Sequence, residues 1–177
     1  MNIVSAIRCD FCNSTELEIV YTPIGTKRNN RVCICKMCGL VFSIHDNIPY
    51  SREPNPSGDA DWGNVRFCKG QRFDAVKSML LSFVQDAKQI LDIGSSRGHF
   101  VKWAKEQNPY ARIVGVEPDI RITDYPAINM KLENVDFPNN CFNFIYCMQT
   151  LEHVDSASII LKRIYDCLEP DGTLFLE

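Results

Sequence analysis

The 177-residue sequence predicts an α/β fold, a mostly parallel sheet with flanking helices, preceded by a small β-rich module. Three observations carry that expectation. From residue 89 onwards, short apolar runs alternate with helical stretches, the pattern of βαβ units. A turn bearing two glycines, within ILDIGSSRGHF (90–100), joins the first of those runs to a helix. Ahead of all this stand two CxxC pairs among brief β-like segments.

The amino-terminal module, residues 1–48, contains the β-like runs LEIVY (17–21), RVCIC (31–35) and LVFSI (40–44). The pairs CDFC (9–12) and CKMC (35–38) are separated by 22 residues, the spacing of a four-cysteine zinc ribbon. Cys9, Cys12, Cys35 and Cys38 are the expected ligands of a structural Zn²⁺. Four thiolates close the coordination sphere and leave no position for water or substrate, so such a site is not catalytic. Cys33 is a neighbouring thiol whose expected role is packing, and four unrelated core cysteines are the simpler alternative.

Residues 49–86 read as a linker and a helix. PYSREPNPSGDADWG (49–63) is rich in turn formers, and the helical pattern begins at Asn64. Phe73, Val76, Leu80 and Val84 recur every three or four residues, widened by Met79 and Phe83.

The domain expected over 87–177 starts with the strand QILDI (89–93) and a helix over 98–107 that ends before Asn108-Pro109. ARIVGVE (111–117) is the next strand. Pro118 and Pro126 leave room for about two helical turns, after which AINMKLEN (127–134) is expected to form another strand. FNFIYCM (142–148) is a strand, 156–168 a helix, EPDG (169–172) a turn and TLFLE the opening of a last strand.

Composition narrows the class. Hydrophobic content of 45% and charged content of 23% are those of globular chains. The formal charge of −3, more acidic still with a tetrathiolate zinc site, disfavours a broad phosphate-tracking surface. No secretory h-region and no run of the ~18 apolar residues needed to span a bilayer is visible. Nine cysteines without a secretory signal point to metal binding in a reducing, cytoplasmic setting with no membrane contact.

In the glycine turn, Gly94 lets the chain leave the strand sharply, and Gly98 starts the helix close to the sheet. The free amides of the helix start suit an anionic group. Glu117 ends the following strand 23 residues after Gly94, where an acid can accept two ribose hydroxyls.

At these residues the sequence resembles class I S-adenosylmethionine-dependent methyltransferases, which are Rossmann-like. The ordered motifs are ILDIGSSRGHF, VGVEPD (114–119), FNFIYCMQTLEHV (142–154) and LEPDGTLFLE (168–177). The leader CDFC…CKMCGLVF resembles the zinc-binding leader of one branch, which includes sugar C-methyltransferases and enzymes encoded with glycan-synthesis genes. The resemblance implies S-adenosylmethionine as cofactor, held by Asp92, Gly94, Ser95, Ser96, Gly98, Glu117, Met148 and Gln149. It places Glu152 and His153 as catalytic candidates, and it implies methyl transfer to a small, sugar- or nucleotide-linked acceptor.

Several readings stay open. Asp92 can serve the donors of its own loop, the glycines can serve packing, and Glu152 and His153 can cap or pack. His45 and His99 read as surface or packing residues. An RNA methyltransferase docking its substrate on the ribbon through Lys27, Arg28 and Arg31 is one alternative function. An inactive or truncated cofactor-binding scaffold is another. Ser96 stands where the family often has glycine, and Asn143 where it has an acid. No acid falls clearly where adenine would be read, the nearest residues being Lys131 and Glu133. The family continues past TLFLE, so the chain reads as carboxy-terminally incomplete, or as a homodimer pairing through that edge strand.

Overall fold

The structure, a computed structural model, describes residues 7–22, 24, 31–44, 71–119 and 125–177. The expected linker at 49–63, the helix start at Asn64, Lys27, Arg28, His45 and residues 120–124 lie outside the described residues. The chain divides into two compact units, Met1–Asn55 and Pro56–Glu177.

In the first unit, β1 (Leu17–Tyr21), β2 (Arg31–Cys35) and β3 (Val41–Ile44) form an antiparallel sheet in the order β1-β2-β3. Its interior is built on sulfur: Cys9, Cys33 and Cys35 are buried, whereas Ile19, Val20, Tyr21 and Val41 are exposed. Cys33 and Cys35 point to the same side of β2, as a spacing of two requires.

The second unit runs α1 (Gln71–Asp86), β4 (Gln89–Ile93), α2 (His99–Gln107), β5 (Arg112–Val116), β6 (Phe142–Cys147), α3 (Ala157–Cys167) and β7 (Leu168–Leu176). The four strands are parallel, in the order β5-β4-β6-β7. Strand periodicity assigns the two faces. Leu91, Ile93, Ile145 and Cys147 pack with Ile160 and Ile164 of α3. Ile90, Phe144 and Tyr146 pack with Leu80 and Val84 of α1 and with Phe100 and Ala104 of α2. Both faces are covered, which is why these strands read as unbroken apolar runs.

Two asparagines tie this core together. Asn108, just past α2, donates through Nδ2 to the carbonyls of Val84 (2.9 Å), Gln85 (3.1 Å) and Ala87 (2.8 Å), closing the end of α1. Asn143 accepts through Oδ1 from the amides of Lys88 (3.1 Å) and Gln89 (2.9 Å). An acid in that place would accept the same two bonds, so the exchange removes a charge and keeps the joint.

Two expectations need correction. AINMKLEN does not form a strand: Ile128 makes a single parallel bridge to Val116, and Leu132–Asn134 is a turn of 3₁₀ helix. Leu132 and Val135 are buried three residues apart, the period of a 3₁₀ turn and not of a strand. EPDG does not precede the last strand but lies inside it. Leu168 pairs with Phe142, yet Thr173 pairs with Phe144, so residues 169–172 form an excursion between two rungs of one ladder.

Asn108→Ala leaves the carbonyls at the end of α1 without their donor. It is expected to cost about 1–3 kcal/mol, roughly 2–4 °C in Tm per kcal/mol for a chain of this size. Thermal unfolding followed by circular dichroism checks it, and an unchanged Tm would show that water replaces the amide at no cost.

Candidate cofactor site and cysteine cluster

The strand order places the site. From β4 the chain crosses to β5 on one side and later returns to β6 on the other, so the topology reverses at the carboxyl end of β4. Open α/β sheets bind ligands in the crevice at such a reversal. Three loops meet there: 94–98 after β4, 117–119 after β5 and 148–153 after β6.

The first loop hangs from the end of β5. Gly94 and Ser95 both donate their amides to Val116 O (2.9 and 3.1 Å), and Ser96 donates its amide to Glu117 Oε2 (3.0 Å). Gly94, Ser96 and Gly98 have φ of 70°, 48° and 73°. The conformation explains why related turns favour glycine at the place of Ser96. Gly98 precedes α2 with no side-chain cap.

Glu117 is buried, with both carboxylate oxygens engaged: Oε2 by Ser96 and Oε1 by the amide of Asp119 (2.9 Å). Each oxygen retains a lone pair for a further donor. Asp92 is 2% exposed and its Oδ2 has no hydrogen-bond partner. Burial, and then the nearby charge of Glu117, hold its carboxyl well above the usual carboxylate range. Ser95 is buried as well, and its hydroxyl has at most the Tyr125 hydroxyl as a partner.

The third loop separates into parts. Met148 packs against the α1/α2 side of the core and accepts from the Tyr146 hydroxyl at 2.7 Å. Gln149 bonds Glu177 twice, amide to carbonyl at 2.8 Å and Nε2 to Oε1 at 3.1 Å. Glu152 and His153 lie exposed on a 3₁₀ turn, Leu151–His153, with Nε2 and Oε1 3.9 Å apart. His99, at the start of α2, is exposed. Asp92, Gly94, Ser95, Ser96, Gly98 and Glu117 are thus brought together at one crevice, while the other candidates stand on the loop leaving β6.

Two residues of the site escaped sequence reasoning. Thr150 has its hydroxyl 3.1 Å from both Ile93 O and Met148 O, bridging the ends of β4 and β6. A Cβ on Gly94 would collide with the Thr150 side chain. Tyr125 lays its ring against Gly98 and its hydroxyl beside Gly115 and Ser95. Tyr125 lies outside the motifs, and Thr150, though inside FNFIYCMQTLEHV, has a hydroxyl that nothing in the sequence ties to Ile93 at the foot of the turn, 57 residues earlier.

In the first unit, the Sγ atoms of Cys9, Cys12, Cys35 and Cys38 lie within 4.8 Å of one another, with Cys9–Cys38 and Cys12–Cys35 at 3.5 Å. A tetrahedral metal with metal–sulfur bonds of ~2.3 Å needs edges of ~3.8 Å. The donor set and its spacing fit zinc.

Fold and site together define a nucleotide-type α/β domain with its crevice at the end of the first sheet strand. The chain belongs to the methyltransferase domain family, whose model matches residues 67–177. It is 26% identical over 132 residues to a tRNA U34 carboxymethyltransferase of Desulfotalea psychrophila, covering 67% of this chain and 39% of that protein. It is 24% identical over 106 residues to (S)-coclaurine N-methyltransferase of Papaver somniferum, covering 53% and 30%. The chain therefore spans well under half the length of these curated relatives. Among solved structures, the plantazolicin methyltransferase BpumL in complex with SAH superimposes with a TM-score of 0.58 at 16% identity, over 70% of this chain and 53% of that one. A SAM-dependent methyltransferase from Archaeoglobus fulgidus gives 0.54 at 16% identity, over 63% and 54%. These structural likenesses establish the α/β fold. Among the described residues, no helix is long and apolar enough to cross a membrane.

Because the Asp92 carboxyl is held above its unfolded value of ~3.9, its contribution is most favourable below that pH and is lost as pH rises through the folded value. Asp92→Asn is therefore expected to raise the Tm of ligand-free protein at pH 7–8, with the gain shrinking to nothing near pH 4. Calorimetric scans across that range check the sign. A loss of stability at neutral pH would mean that the carboxylate is paired.

Proposed function

We propose that the protein transfers the methyl group of S-adenosylmethionine to a small acceptor of the sugar- or nucleotide-linked kind. The observation that carries this reading is the glycine turn suspended from Val116 O and Glu117, with Asp92 and Ser95 beneath it. When bound, S-adenosylmethionine supplies an electrophilic methyl on a sulfonium. Asp92, Gly94, Ser95, Ser96 and Gly98 would hold its amino-acid and ribose side, Glu117 would accept from the diol, and Met148 and Gln149 would line the edge left by β6. His153 would take the proton of an attacking acceptor at Nε2, with Glu152 beside it on the same turn. Most of the rate would come from holding acceptor and methyl group in line.

The four-cysteine cluster holds a structural Zn²⁺ in this reading. Its metal supplies folding energy to a unit whose buried side chains, among the described residues, are cysteines. A second reading, methylation of RNA, draws support from the name of the Desulfotalea psychrophila relative, and Arg31 with Lys27 and Arg28 would then contact phosphate. The scaffold reading loses one support, since Asn143 serves as a strand joint and its lack of charge does not bear on catalysis.

S-adenosylhomocysteine titrated calorimetrically into zinc-replete protein is expected to bind with micromolar affinity. Gly94→Arg, which drives a side chain into Thr150 at a positive φ, should abolish that binding and lower the Tm as well. A folded wild-type protein that gives no heat would overturn the cofactor reading. Elemental analysis should find one zinc per chain, lost in Cys12→Ser. Retention of zinc by that variant would remove the cluster as its site.

A further inference from the structure

The crevice contains more unsatisfied polarity than the assigned residues explain. Among the described residues, Asp92 Oδ2 is buried without a partner, and the buried hydroxyls of Ser95 and Tyr125 have at most each other. Native interiors satisfy such groups, and a concentration of exceptions calls for a missing partner. These three share one place. A Cβ built on Gly115 would strike Tyr125 Oη and come within 2.8 Å of Ser95 Oγ. Asp92 stands opposite Gly115 in the parallel register of β4 and β5, so its side chain points to the same side of the sheet. The charges of Asp92 and Glu117 both act on the Tyr125 phenol. Burial first, and then those charges, push its pKa up to about 12, against a hydrogen bond with the Ser95 hydroxyl that lowers it. At neutral pH the phenol is therefore a donor.

We propose that Tyr125 is a cofactor-binding residue: its hydroxyl, with Asp92 and Ser95, receives the ribose diol together with Glu117 at the crevice. This rests on the cofactor reading above. The chemistry of the three atoms selects the group. Asp92 offers an acceptor, whereas the two hydroxyls donate or accept, and a vicinal diol presents both functions on adjacent carbons. Glu117 cannot swing to do the whole task, because the amides of Ser96 and Asp119 fix its two oxygens. The bare faces of Gly98 and Gly115 are what allow an aromatic ring to approach so closely.

Tyr125→Phe keeps the ring and removes only the hydroxyl. It is expected to weaken S-adenosylhomocysteine about 10-fold (~1.4 kcal/mol) and adenosine, which has the ribose but no amino-acid chain, by the same factor. Because that hydroxyl has at most the Ser95 hydroxyl as a partner without ligand, the Tm of ligand-free protein should change little, whereas the affinity loss should be the same for both ligands. Unchanged affinity for S-adenosylhomocysteine, or a loss that spares adenosine, overturns the assignment. Tighter binding overturns it too, since the phenol would then obstruct the pocket. Wild-type protein that binds neither ligand defeats the underlying cofactor reading, whereas a variant-to-wild-type ratio of one defeats the role of Tyr125 alone.

Discussion

A carboxylate held away from water sets the terms for everything at the carboxyl edge of the parallel sheet. Asp92 lies within β4 between Leu91 and Ile93, 2% exposed, on the face covered by α1 and α2. An aliphatic side chain there would join the core, and a buried side chain of that kind is worth roughly 1.5–3 kcal/mol. Retaining an acid without a partner on Oδ2 forgoes that stabilisation, a departure from good packing that marks sites shaped by binding. Glu117 makes the contrast. It is buried beside Asp92, yet its oxygens secure the turn and the start of the next loop. One acid organises the backbone, and the other stays open.

Organisation by backbone has a mechanical meaning. Val116 O takes two amides from the glycine turn, Ile128 exchanges bonds with Glu117 and Gly115, and Thr150 bridges the ends of β4 and β6. The three loops of the crevice are consequently braced against one another as well as against their strands. A site held this way loses little conformational freedom when it fills, the condition for precise positioning of two reactants.

What could be read from the sequence follows the reach of each interaction. LEIVY, RVCIC and QILDI match β1, β2 and β4 to the residue, and the helix expected to end before Asn108 does so. Periodicity and turn formers act within a few positions. The six residues gathered around the turn were legible for the same reason, since five lie in one short motif and Glu117 ends the next strand. Asn143, in contrast, reaches amides 54 and 55 positions away, and Thr150 reaches a carbonyl 57 positions away. Nothing local distinguishes such an asparagine or threonine from one facing water. The strand expected in AINMKLEN failed because a stretch with polar residues at 129, 131, 133 and 134 buries only Leu132 before Val135, too little apolar surface to sustain a ladder.

The contact between Gly94 and Thr150 has an evolutionary reading. The two positions are 56 apart in the chain, yet the space of one is filled by the side chain of the other. Any enlargement at 94 is admissible only in a background where 150 has already shrunk. A smaller residue at 150 would in turn relax the demand for glycine at 94 while losing the bridge between β4 and β6. Substitutions at these two places are therefore ordered in time, and descendants of this sequence should not be found to vary at 94 without varying at 150.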